Sequence, residues 1–275
     1  AVCSLFFQWK LSQQMIRRRV DELQQNMFVI HQLVIRDKKR NLSSTFMGEL
    51  WEVINPLINM VVMVLVFGKM FGDGSSSRFP LYVLTGTTIY GLFTSGTTMC
   101  LNALMGNKNF LIKTQIKKNV YVDQKILLAF RNFLFSLMIY AFVIALYRIR
   151  PSVTWLLFIP DVLLTIIMML GIGKILAVIN VTFADITYFY KIFTLFLMYG
   201  SAIFYRVDRL SPTMQKCMTI LNPLYTVISI SRECVMERMY PNWKLWAIAS
   251  VYAGGCYVVG TIFFNRKIED IVAKM

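Results

Sequence analysis

The sequence predicts an all-α integral membrane protein with six transmembrane helices. Hydrophobic residues make up 57% of its 275 positions and charged residues only 16%, where soluble domains carry roughly 45–50% and a quarter. Apolar runs recur along the whole chain, separated by short polar segments. The 29 Lys and Arg, against 14 Asp and Glu, flank these runs instead of covering one soluble face, which argues against a nucleic-acid surface.

Residues 1–50 form a basic amphipathic segment. Leu23, Met27, Ile30 and Val34 follow helical spacing, with Gln24, Gln25, His31 and Gln32 between them. This suits an N-terminal interfacial amphipathic helix, and equally a helix packed on the protein's own core. The chain opens with an apolar patch before its basic cluster, the reverse of a secretory signal. "RDKKRN" at 36–41 marks a cytoplasmic flank.

The membrane domain is 51–275. Span one covers about 56–71, anchored by Trp51, and "GDGSSSR" at 72–78 turns outside. Span two covers about 79–104. The loop 106–125, "GNKNFLIKTQIKKNVYVDQK", is rich in Lys and belongs inside. Span three runs about 126–147, with Arg131 near its inner end, where it can snorkel to the headgroups. Span four, about 153–181, contains Pro160 and Gly171-Ile172-Gly173, which predict a kink or break. Lys174 lies near its inner end, placed to snorkel or to grip an anionic head group. Span five covers about 188–204 and span six about 243–264, followed by "NRK" and the tail.

The segment 205–242 is ambiguous, because its apolar core "CMTILNPLYTVISI" has only 14 residues and a full span needs about 20. Parity decides. Six spans keep both termini inside, beside eight Lys and Arg before residue 50 and three in the tail. The segment is therefore expected to form short re-entrant outer-leaflet helices between spans five and six, about 211–238.

Catalytic patterns are missing. "GIGK" at 171–174 lacks the spacing and the Ser/Thr of a phosphate loop, so the chain alone should not bind ATP. His31 is the only histidine, which disfavours a His-based metal site or a Ser-His-Asp triad. Asp161 is expected to cap its helix or to pair with Arg148 or Arg150. The acids do not cluster for general acid–base work, which argues against an enzyme. Of five cysteines, only Cys217 and Cys234 could share the outer side, which allows one disulfide at most.

Four stretches carry a family resemblance. "GELWEVINPL" at 48–57 leads into "VFGKMFG" at 66–72, and "FPLYVLTGTTIYGLF" spans 79–93. "NKNFLIKTQIKKNVYVDQKI" follows, and then "ILNPLYTVISISRECV" at 220–235. In this order they resemble the permease subunit of type-2 ABC exporters, in particular the polysaccharide, O-antigen and teichoic acid export family. There are departures. Lys117 and Val122 stand where relatives often carry prolines, Ala184 where an Arg often precedes the Asp, and Ala202 where Pro is common.

The resemblance implies a half-transporter in the cytoplasmic membrane, paired with a second copy of itself and with two copies of a separate ABC ATPase subunit that binds ATP and Mg. It implies ATP-driven export of a polyprenyl-pyrophosphate-linked polysaccharide or teichoic acid. It makes the loop 106–125 carry a cytoplasmic coupling helix, with Phe110, Leu111 and Ile112 filling the ATPase groove beside Lys113, Lys117 and Lys118. An anionic pyrophosphate needs cations at the inner interface, and Arg36, Lys38, Lys39, Arg40 and Lys174 are the candidates. A sliding sugar chain needs aromatic faces. Phe189, Phe193, Phe196 and Tyr199 share one face of span five, and Phe67 and Phe71 end span one. Packing against neighbouring helices or lipid is the competing reading of these aromatics. Export of drugs or small lipids is the alternative within the same class. An enzyme acting on a polyprenyl-phosphate carrier is the alternative outside it.

Asn-Pro-Leu occurs twice, at 55–57 and 222–224. Asn is a good N-cap and Pro is tolerated in a first turn, so each copy predicts a helix start. Asn55 and Pro56 would begin span one inside. Asn222 and Pro223 would divide the apolar stretch into two short helices near an outer gate.

Overall fold

A computed structural model describes residues 24–37, 39, 54, 57, 58, 61, 62, 79–113, 116–207 and 211–274. The described residues form helices and turns with no strand. The helices, in chain order, are α1 (24–37), α2 (Phe79–Leu101), α3 (Lys108–Lys113), α4 (Val120–Leu146), α5 (Phe158–Thr182), α6 (Ile186–Gly200), α7 (Pro212–Leu221), α8 (Pro223–Arg232) and α9 (Trp243–Lys274). Most of the expected first span lies outside the described residues, and so do Lys38, Arg40, Asn55, Pro56, Phe67 and Phe71.

Among the described residues, three stretches are long and apolar enough to cross a membrane: Val120–Leu146, Val153–Thr182 and Trp243–Val272. α2 has 23 residues, and its polarity comes largely from threonine. Thr85, Thr88, Thr94 and Thr97 each donate to the carbonyl four residues back, at 2.7–2.8 Å. A hydroxyl bonded to its own helix needs no water, so it tolerates apolar surroundings. α6 has 15 residues, fewer than the roughly 20 that a straight crossing requires.

Several expected boundaries move. α4 begins at Val120, not at 126, so it takes up the end of the proposed loop and sets Arg131 about three turns inside the helix instead of at its inner end. α6 stops at Gly200, short of 204. α9 continues through the tail to Lys274. α5 is helical from Phe158 to Thr182 without the break that Pro160 and the glycines suggest. Pro160 stands in the first turn, where its missing N–H is harmless.

The glycines serve close packing. α5 and α9 form the most extensive helix pair. A Cβ on Gly171 would meet the Cys256 carbonyl of α9, and a Cβ on Gly260 would meet the Gly171 carbonyl of α5. Lipid gives helices no hydrophobic reason to associate, so such backbone contact is the source of attraction. Two residues along a helix turn about 200°, and Gly173 accordingly faces away from α9, toward Cys100 and Val122. α5 is thereby gripped on both sides. α2 packs on α4, α5 and α8.

α1 turns Ile30, Leu33, Val34 and Asp37 inward, while Met27 and Phe28 stay exposed. The face Met27–Ile30–Val34 expected from spacing is thus split: Ile30 and Val34 pack on the protein's own core. Cys217 is free and exposed and Cys234 is free and buried, so the disulfide allowed by the sequence does not form.

Gly171→Val and Gly260→Val should each cost more than the about 1–3 kcal/mol typical of overpacking, because the obstructing atoms are backbone. Gly254→Ala, whose Cβ meets nothing within 4 Å, is the control. Thermal unfolding of the three variants in detergent checks this: only the control should melt with the parent.

Candidate functional site

Two polar clusters anchor the elements to which the sequence assigns function. The first lies under α2 and α4. A 3₁₀ turn at Met105–Asn107 leads into α3. Asp37, 3% exposed, sits where α1 meets α4. Its Oδ1 accepts from Arg36 Nη2 at 2.7 Å and Nε at 3.1 Å. Its Oδ2 accepts from Gln124 Nε2 at 2.8 Å and Lys125 Nζ at 2.5 Å. Arg36 Nη2 also donates to Asn107 Oδ1 at 2.6 Å, and its guanidinium lies 5.1 Å from the Phe110 ring centre. Asn107 is in turn held by its Nδ2, which donates to the Ala103 carbonyl at 2.8 Å. Burial pushes the Asp37 carboxyl up, but the hydrogen bonds from Lys125, Gln124 and Arg36 outweigh it and hold the pKa at about 2.

This placement revises the residues expected for coupling and cation binding. Phe110 and Ile112 are exposed, whereas Leu111 is 3% exposed and belongs to this chain's own core, so it cannot also fill a partner's groove. Lys117 is exposed and Lys118 half-buried. Arg36, expected at a head group, is engaged with Asp37, Asn107 and Phe110. Lys39 is exposed. Lys174 is buried inside the bundle instead of snorkelling: its Nζ donates to Thr261 Oγ1 at 3.0 Å and lies 4.6 Å from the Tyr257 ring centre.

The second cluster joins α6, α8 and α2 at the other end. Asn222 has extended backbone between α7 and α8 and caps α8, its Oδ1 accepting from Leu224 N at 3.0 Å and Tyr225 N at 3.3 Å. Pro223 takes the first turn, as the sequence predicts. The Asn222 Nδ2 donates to Ser201 Oγ at 3.0 Å. Ser211 caps α7 in the same manner, accepting from Met214 N at 3.4 Å. Arg232 closes the cluster. Its Nη2 donates to the Ala202 carbonyl at 3.1 Å and the Tyr82 carbonyl at 3.3 Å, and its guanidinium lies 3.5 Å from the Tyr82 ring centre. Ala202 has φ 49°, in the left-handed region. Proline is locked near −65°, so the departure noted at this position has a backbone reason. Asp161 is fully buried and accepts from Ser231 Oγ at 2.5 Å. Arg148 and Arg150, the partners expected from sequence, are exposed.

Between the clusters runs α6. Phe189, Phe193, Phe196 and Tyr199 are all exposed along it, and Tyr190 is its buried residue, donating to Thr97 Oγ1 at 2.7 Å.

With this geometry in hand, comparison with known proteins places the chain. Residues 29–236 match the family described as ABC-2 type transporter, a stretch that includes most of α1, both clusters and α6. The chain belongs to the ABC-2 type transporter family. It is similar to the O-antigen export system permease protein RfbA of Klebsiella pneumoniae, 25% identical over 232 residues that cover 84% of this chain and 88% of the relative. The RfbA protein of Myxococcus xanthus is 25% identical over 254 residues, covering 92% and 97%. The polysialic acid transport protein KpsM of Escherichia coli is 25% identical over 219 residues, covering 75% and 81%. These ABC-2 relatives are transport proteins, in keeping with the lack of clustered acids and of a phosphate loop in this sequence.

Sequence reasoning missed Asp37, Asn107, Gln124, Tyr82 and Ser201. A signal existed for Asp37, the lone acid in "RDKKRN". Asn107, Gln124 and Tyr82 give none, because their partners are distant in sequence.

Two outcomes follow from the clusters. Asn222→Ala should cost about 0.5–2 kcal/mol through the lost cap; Asn222→Asp should recover part of it, since it keeps the acceptor but loses the donor to Ser201, and thermal unfolding ranks the three. The Asp37 pKa lies below its ordinary 3.8, so its contribution to stability is complete above about pH 4 and is lost as pH falls toward 2. Melting curves of the parent should therefore decline over that window more steeply than those of Asp37→Asn.

Proposed function

We propose that the chain is the membrane-spanning permease subunit of an ATP-driven polysaccharide exporter. The observation that carries this reading is the alignment with O-antigen export permeases over 88–97% of their length. The chain would sit in the cytoplasmic membrane with six spans and both termini inside, a reading that the Lys and Arg near both ends support. α7 and α8 would dip into the outer leaflet without crossing. The break at Asn222 and the ten-residue length of each helix support this.

The working unit would be two copies of this chain and two of a separate ATPase, which takes up ATP and Mg. Phe110 and Ile112 are the exposed apolar side chains of α3 and would meet that ATPase, with the exposed Lys117 a few residues on. The substrate would be a glycan on a polyprenyl-pyrophosphate carrier, of the O-antigen or capsule kind, with teichoic acid a further member of the class. Lys39 remains the described exposed candidate for its head group. The exposed aromatic face of α6 would give sugar C–H faces a sequence-tolerant surface. Asn222 would stand at the outer gate.

The test is co-expression with a candidate ABC ATPase subunit from the same genome. The chain should capture that ATPase, and a strain lacking the chain should accumulate lipid-linked glycan on the cytoplasmic side. Ile112→Asp should weaken the capture, while its melting temperature stays with the parent's because the side chain is exposed. A chain that is active with no ATPase bound would overturn the reading.

A further inference from the structure

Asp37 is the one described carboxylate to which two cations from different elements donate. Its two oxygens face different parts of the protein. Oδ1 is taken by Arg36, whose Nη2 reaches on to Asn107 and whose guanidinium covers Phe110. Oδ2 is taken by Gln124 and Lys125, in the second turn of α4. A line of contacts thus runs from Phe110 through Arg36 and Asp37 to α4.

Three features make this line stiff. The Asp37 carboxylate is buried, so water has little access to it, although the Arg36 side chain is a third exposed. Charge-assisted hydrogen bonds are roughly twice as strong as neutral ones. The backing helix α1 is itself fixed, since Ile30, Leu33 and Val34 lie in the core and the Leu33 carbonyl accepts from Gln124 Nε2 at 3.5 Å. Neither the coupling loop nor α4 alone supplies the link, because the side chain between them comes from α1.

We infer that Asp37 is a positioning residue that fastens the segment 105–113 to the inner end of α4, so that a displacement of Phe110 and Ile112 is carried to the transmembrane helix through its carboxylate. The inference rests on the proposed exporter function. It gives α1 a mechanical role distinct from contact with lipid.

The experiment uses the full chain with its ATPase in proteoliposomes and reads ATP hydrolysed per polymer exported. Asp37→Asn keeps the shape and removes the charge, and should raise that ratio about tenfold, the change expected when one charged hydrogen bond no longer couples two elements. Lys125→Gln should act in the same direction, and Lys125→Arg should stay near the parent. An unchanged ratio in Asp37→Asn overturns the inference. So does a proportional fall in ATPase capture, hydrolysis and melting temperature, which marks a general folding role. Hydrogen exchange of the purified chain separates this from failure of the exporter reading. Asp37→Asn should speed exchange in 105–113 and 120–125 together and leave Trp243–Lys274 unaltered, whether or not an ATPase binds. Unaltered exchange in both segments overturns the link. A parent chain that captures no ATPase overturns the exporter reading.

Discussion

The contact between the backbones of α5 and α9 is the constraint on which the rest of this protein depends. At Gly171 and Gly260 neither helix has room for a single carbon beyond the main chain. In lipid, apolar side chains gain nothing by leaving one apolar surrounding for another, so close approach and dispersion must hold helices together. α5 packs on α2, α4, α8 and α9, and its glycines let two of these approaches be tight at once.

The second constraint is that polar groups in such a chain must find partners inside it. α2 meets it locally, with threonine hydroxyls bonded one turn back. Asn222 meets it at a helix start, where one side chain satisfies two orphan N–H groups and still donates to Ser201. Arg232 and Asp37 meet it over long sequence distances. Arg232 relies on carbonyls and an aromatic face, and Asp37 draws on two cations and an amide. Both are buried charged groups, and in both cases the partners come from more than one element.

The aromatic face of α6 and the exposed pair Phe110 and Ile112 complement these junctions. Each carries large apolar side chains that are exposed among the described residues, and the Arg36 guanidinium lies over the Phe110 ring. One adjoins the second cluster through Ser201 and Ala202, the other the first cluster through Arg36. Both exposed faces are therefore mounted on a polar knot instead of on a free loop.

Local chemistry was legible in the sequence. Apolar runs with basic flanks identify a helical membrane protein. Asn222-Pro223 announces a helix start, and the spacing of Phe189, Phe193, Phe196 and Tyr199 places them on one face. All of these depend on neighbours within a turn or two, which periodicity and capping read directly. What the sequence by itself could not decide was direction and partnership. It could not say that Leu111 faces the core while Ile112 beside it faces out, that the α5 glycines receive another helix instead of bending their own, or that Asp161 seeks Ser231 and not Arg148. It could not say that Arg36 reaches Asn107. Those outcomes rest on residues 70 or more positions apart, and they were settled only when the helices packed, because burial and the demand for a hydrogen-bond partner are properties of the assembled bundle.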